Sequence, residues 1–159
     1  MRTIIAVGLI AGFGALAPSQ GSAQHAATHA GSHVMVSPAE LTWNDLPALP
    51  GVKIAVLEGP LTEAVPIMFR LKFPANYQVP PHYHPGIEHV TVIWGTLNMG
   101  MGEVFDKTKT RALSAGSVAI MPPRTPHFVW TSEETIGQVH SIGPWSVTYV
   151  NPADDPRKK

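Results

Sequence analysis

His82-Tyr83-His84-Pro85-Gly86-Ile87-Glu88 decides how this chain is read. Side chains on an extended strand alternate between faces, so His82 and His84 point the same way. Pro85-Gly86 is a turn signal that leads toward a second strand opening near Glu88. Along that strand Glu88, Val90, Val92 and Trp94 share one face, while His89, Thr91 and Ile93 share the other. Parity therefore removes His89 from the set that His82, His84 and Glu88 begin. A further histidine, His127, follows in Pro122-Pro123-Arg124-Thr125-Pro126-His127. Three imidazoles and one carboxylate form a mixed N/O donor set for one divalent transition metal, and Fe, Mn, Ni, Cu and Zn all accept it. Such a set leaves one or two positions of an octahedral ion open to substrate, water or dioxygen.

Working outward, the chain reads as strand after strand. Val52 to Leu57 is the first candidate, closed by Gly59-Pro60. In Val65 to Phe73 a clean period of two puts Ile67, Phe69, Leu71 and Phe73 on one face and Met68, Arg70 and Lys72 on the other. Pro74, Pro80 and Pro81 frame the approach to the histidine pair. His89 to Trp94, Thr96 to Met101, Thr108 to Leu113 and Ser117 to Met121 follow, with Gly95 and Ser114-Ala115-Gly116 as turns. Phe128 to Thr131, Gly137 to Ile142 and Trp145 to Val150 complete the count. Short strands at near-regular spacing, with no long helical period, predict an all-β fold: a small antiparallel β-barrel or jelly roll. The only helical expectation is one turn at Ser37-Pro38-Ala39-Glu40, which has the pattern of a capping box with proline at N1.

Composition agrees. Of 159 residues only 14% are charged, whereas there are 16 prolines and 14 glycines, a balance that favours tight turns over long helices. The formal net charge is zero and no basic stripe is present, which argues against a nucleic-acid partner. There is no cysteine, so disulfides, thiolate metal sites and a cysteine nucleophile are excluded. No Gly-x-Ser-x-Gly elbow supports a serine hydrolase.

Four segments are expected. Residues 1–23 have the form of an export signal: Arg2, an apolar run from Ile4 to Ala17, then the small residues Gly21-Ser22-Ala23. That run is too short to span a bilayer comfortably, so the mature protein is expected in the periplasm or outside the cell, free of the membrane. Residues 24–36 read as a flexible leader carrying His25, His29 and His33. Residues 37–150 form the β domain, and 151–159 a solvated tail.

The stretch His82-x-His84-x3-Glu88-x6-Gly95 resembles the first signature motif of the cupin superfamily, and Gly116-x5-Pro122-x4-His127 resembles the second. In that family the corresponding residues hold a metal, which here implies His82, His84, Glu88 and His127 as ligands. The resemblance covers roughly residues 52–150 and is closest to small, exported, single-domain bacterial cupins. Asn76, Arg124 and Thr131 depart from it, standing where the motifs carry glycine, glycine and asparagine. It implies metal-dependent dioxygenase, decarboxylase, lyase or isomerase chemistry on a small organic acid or diketone-like compound, with Glu88 as a base. By the same analogy the protein is expected to be a homodimer. A non-catalytic β-barrel that holds a metal or small ligand is the alternative.

Five residues are candidates for contact with the substrate. Arg70 has the guanidinium fork that suits a carboxylate. Gln138 and His140 share a face on a late strand. Trp94 and Met99 are candidates for an apolar wall. Tyr77 and Tyr83 are possible hydroxyl partners of the ligands.

Overall fold

Strand β3 (Pro66–Phe73) shows the period read in the sequence. Ile67, Phe69, Leu71 and Phe73 are buried, and Met68, Arg70 and Lys72 between them are partly exposed. The computed structural model describes residues His33–Lys159. The expected signal segment and most of the leader, including His25 and His29, lie outside these residues.

Among the described residues the remaining strands are β1 (Asn44–Asp45), β2 (Lys53–Glu58), β4 (Gln78–Tyr83), β5 (Glu88–Trp94), β6 (Thr96–Met101), β7 (Thr110–Ser114), β8 (Val118–Met121), β9 (His127–Trp130), β10 (Thr135–Ile142) and β11 (Thr148–Tyr149). They form two antiparallel sheets. One has six strands in the order β1-β2-β3-β10-β5-β8, the other five in the order β11-β4-β9-β6-β7. The protein is a jelly roll whose apolar core is filled from both sheets. Ile54, Phe69, Val92 and Val139 come from the six-stranded sheet, and Val79, Leu97, Leu113 and Val129 from the other.

The capping box at Ser37 is present. Glu40 Oε2 accepts from the Ser37 backbone N–H at 2.7 Å, and one 3-10 turn follows at Pro38–Glu40. Strand β4 runs through Pro80-Pro81, whereas the sequence predicts these prolines only as a frame for the histidines. Two prolines fit there because the pairing of β4 with β9 slips between Val79 and His82. A bulge leaves residues out of the ladder, so the missing N–H groups cost nothing. The slip lets Val79, His82 and, just beyond the strand, His84 all turn inward, where each is buried.

The three departures from the cupin pattern keep the backbone that the motifs demand. Asn76 and Arg124 have φ of 58° and 57°, the left-handed region for which glycine is the usual choice. Thr131 is buried, donates from Oγ1 to the Pro74 carbonyl at 2.8 Å and accepts from the Tyr77 N–H at 3.3 Å. It ties the end of β9 to the turn that opens β4. Six of the nine residues 151–159 are exposed. Asp155 is buried, and Arg157 bonds both to it and, at 2.9 Å, to the Val147 carbonyl. A guanidinium bridging a buried carboxylate and a backbone carbonyl holds this segment onto the domain.

Candidate metal centre

The site lies between the two sheets, with lining residues from both. His82 on β4 and His127 on β9 are directly opposed cross-strand partners, and their ring centroids are 4.3 Å apart. His84 follows β4 with its ring 5.1 Å from His82 and 5.2 Å from His127. One ligating nitrogen from each of the three imidazoles lies within 4.8 Å of the others. Glu88, the first residue of β5, reaches the cluster from the opposite sheet, with Oε2 3.3 Å from His84 Nε2. All four residues are at most 5% exposed.

Backbone carbonyls set the tautomers. His82 Nδ1 is 2.8 Å from the Pro80 carbonyl oxygen, His84 Nδ1 is 2.8 Å from that of Ser146, and His127 Nδ1 is 3.0 Å from that of Thr125. A carbonyl oxygen only accepts, so each Nδ1 carries the proton and donates. What remains on each ring is Nε2 with its lone pair. Fixing one imidazole nitrogen in this way is how proteins prepare the other for a metal.

Electrostatics point the same way. Burial holds the His82 pKa well below its ordinary value, and the neighbouring His127 and His84 add to the shift. Burial lowers His84 to about 4 against the pull of the Ser146 carbonyl. His127 is also lowered, mainly by burial. All three are neutral at pH 7, the form that binds metals. Burial raises the pKa of Glu88, opposed by the bond from Trp145 Nε1 to Oε1 at 2.8 Å. The His84–Glu88 contact is therefore no ordinary ion pair, because His84 carries no charge. Two acceptors at 3.3 Å need a proton or a cation between them, and a buried carboxylate needs a counter-charge. A divalent cation meets both needs, so the residues present fit one.

The donors face a cavity of about 40 Å3. Its apolar walls include Leu71, Val90 and Val139 from one sheet and Leu97, Met99 and Val129 from the other. Of the five residues expected at the substrate, Met99 lines the cavity. Contrary to expectation, Arg70, Trp94, Gln138 and His140 do not line the cavity. Arg70 and Gln138 are cross-strand partners facing outward, joined by a bond from Arg70 Nε to Gln138 Oε1 at 2.9 Å. His140 lies two residues on, on that outer face, opposite the outward-facing His89. Trp94 shares inward parity with Glu88 only if β5 stays regular. The pairing with β10 shifts beside it, Ile136 facing Trp94 but Gly137 facing Val92, and Trp94 turns out to 62% exposure. With Arg70, Trp43 and Lys72 it lines a surface cleft instead. Tyr77 donates to the Pro50 carbonyl at 2.9 Å, away from the donors.

Trp145 was missed. It lines the cavity, stacks on His84 at a centroid distance of 5.3 Å and 17° between planes, packs edge-on to Phe69, and donates to Glu88. Its neighbour Ser146 orients His84. The sequence predicts a strand from Trp145 to Val150, but β11 covers only Thr148–Tyr149, and both residues sit in the loop before it, where side-chain alternation carries no information. Only the proximity of an aromatic N–H donor to a buried acid could have signalled the role.

A family model for the ChrR cupin-like domain matches residues 31–136, a span that holds His82, His84, Glu88 and His127. The chain belongs to the ChrR cupin-like family. This cupin is also similar in fold to several solved structures. The polyketide cyclase RemF from Streptomyces resistomycificus is 17% identical with a TM-score of 0.65, over 80% of this chain and 92% of that one. The DMSP lyase DddQ from Ruegeria pomeroyi is 18% identical at a TM-score of 0.58, over 72% of this chain and 63% of that one. An RmlC-like cupin from Shewanella frigidimarina is 17% identical at 0.56, over 70% and 93%. At such identities the likeness is one of fold. No curated protein matches the chain by sequence.

Proposed function

We propose that this cupin is a metal-dependent enzyme holding one divalent first-row ion on His82, His84 and His127, with Glu88 as the fourth donor. Its substrate in this reading is a small organic acid or diketone-like compound, and its chemistry is of the dioxygenase, decarboxylase or lyase type. The observation that carries the reading is the convergence of three neutral imidazoles, each with Nδ1 committed to a carbonyl. A bound ion would supply Lewis-acid polarisation of a substrate oxygen and a charge to stabilise a developing enolate or carboxylate.

The chain's own residues do the rest. The apolar walls exclude water from the bound compound. Trp145 holds Oε1 of Glu88 while Oε2 faces His84, and the raised proton affinity of this carboxyl suits it to act as a base at Oε2. A non-catalytic module that merely retains an ion or small ligand is favoured by one feature, the small volume of the cavity.

The experiment is direct. The mature chain, purified without a histidine tag, is analysed for metal and then assayed for oxygen uptake and substrate loss with small acids and diketones. About one ion per chain is expected, with turnover lost in His84→Ala. A retained ion without turnover in any assay would favour the binding module. Export belongs to the same reading, and N-terminal sequencing of periplasmic or secreted material should find a start beyond Ala23.

A further inference from the structure

The walls of the cavity say what kind of compound it takes, an inference that rests on the metal reading above. Among the described residues, every polar side chain lining the cavity belongs to the donor cluster or to Trp145. No lysine, arginine, serine, threonine or amide side chain lines it. Trp145 spends its one N–H on Glu88, and Arg70, the carboxylate clamp expected from the sequence, is turned outward and bonded to Gln138. Beyond the donors and the backbone of Gly137, a bound compound meets aliphatic, thioether and aromatic side chains.

We propose that the site takes small compounds with a single oxygen-donor head group and an uncharged, apolar remainder, and rejects those with a second charged group. The head is met by the His82, His84 and His127 cluster, where charge can be balanced. The remainder lies against Leu71, Val90, Met99 and Val139. A second carboxylate placed there loses its hydration and finds neither a donor nor a counter-ion, which is costly in an apolar interior. A methyl group in the same place gains from burial. The cavity volume of about 40 Å3 has room for roughly three waters, which limits the ligand to a few carbons.

A matched pair tests this. Butyrate and succinate share a four-carbon chain and differ at the far end, methyl against carboxylate. Each is titrated into the full mature protein loaded with Co2+, and binding is read from the visible bands of the ion. Butyrate is expected to bind about 100-fold more tightly than succinate. Met99→Lys, checked for folding by circular dichroism, places a cation in the wall and should narrow that ratio at least tenfold. Equal or tighter binding of succinate to the wild-type protein would overturn the proposal. Co2+ bands that neither acid disturbs would overturn it too, while leaving the metal centre standing. Failure to bind Co2+ at all would remove both.

Discussion

His82, His84 and His127 all contribute to the acid sensitivity of the metal-free protein, and the share of His84 can be worked through. In the folded chain His84 has a pKa of about 4 against an ordinary value of 6.5, the cause being burial, and at 5% exposure solvent screening does little to reduce the effect. A depressed histidine pKa means that between these values the unfolded chain binds a proton and the folded chain does not. Stability is thus fully present above pH 6.5 and is lost as pH falls toward 4. From pH 7.5 to pH 5 the loss due to His84 is about 2 kcal/mol, and by pH 4 about 3 kcal/mol. Glu88 works in the opposite sense. Its pKa is raised, so its stabilisation is present at low pH and lost as pH rises through the folded value. Comparison with His84→Gln cancels Glu88, His82 and His127 to first order, because both proteins contain them. Urea unfolding of EDTA-treated protein at pH 7.5, 6.5, 5.5, 5.0 and 4.0 gives the two curves. The wild type should lose about 2 kcal/mol more than His84→Gln by pH 5. Parallel curves across the window would refute the claim that His84 is buried and neutral.

Three further outcomes are expected. Glu88→Gln removes a buried carboxyl with a raised pKa but leaves an acceptor for Trp145. Metal-free Glu88→Gln should melt higher than wild type at pH 8 while binding metal more weakly, as scanning calorimetry and competitive chelator titration would show. Trp145→Phe keeps most of the ring on His84 and deletes the N–H that holds Glu88, so metal affinity should fall 10–100-fold, the usual effect of losing a partner that orients a ligand. Unchanged affinity in that chelator titration would mean that Glu88 is held by other means. Arg124→Gly relieves an exposed residue from φ of 57° and should stabilise the fold by roughly 0.5–1 kcal/mol in urea unfolding, whereas the β-branched Arg124→Val should destabilise it.

Local chemistry made much of this protein legible in advance. The two-residue period of a strand placed His82 and His84 together, sorted Glu88 from His89, and turned Ile67, Phe69, Leu71 and Phe73 inward. Alternation is a property of the covalent chain, so it survives whatever the strand packs against. Ser37 and Glu40 found each other for a similar reason, lying three residues apart. Only the folded chain decided the rest. Trp94 obeys the parity of β5 until a register shift against β10, forty residues further on, turns it to solvent. The outward turn of Arg70, Gln138 and His140 leaves the cavity without a cation, and Trp145 enters it from a loop that has no period. The Pro80, Ser146 and Thr125 carbonyls that set the three tautomers come from a bulge and two loops. These features depend on which distant segments lie side by side. A strand repeats along its own length, but the sequence does not state the alignment of one strand with another.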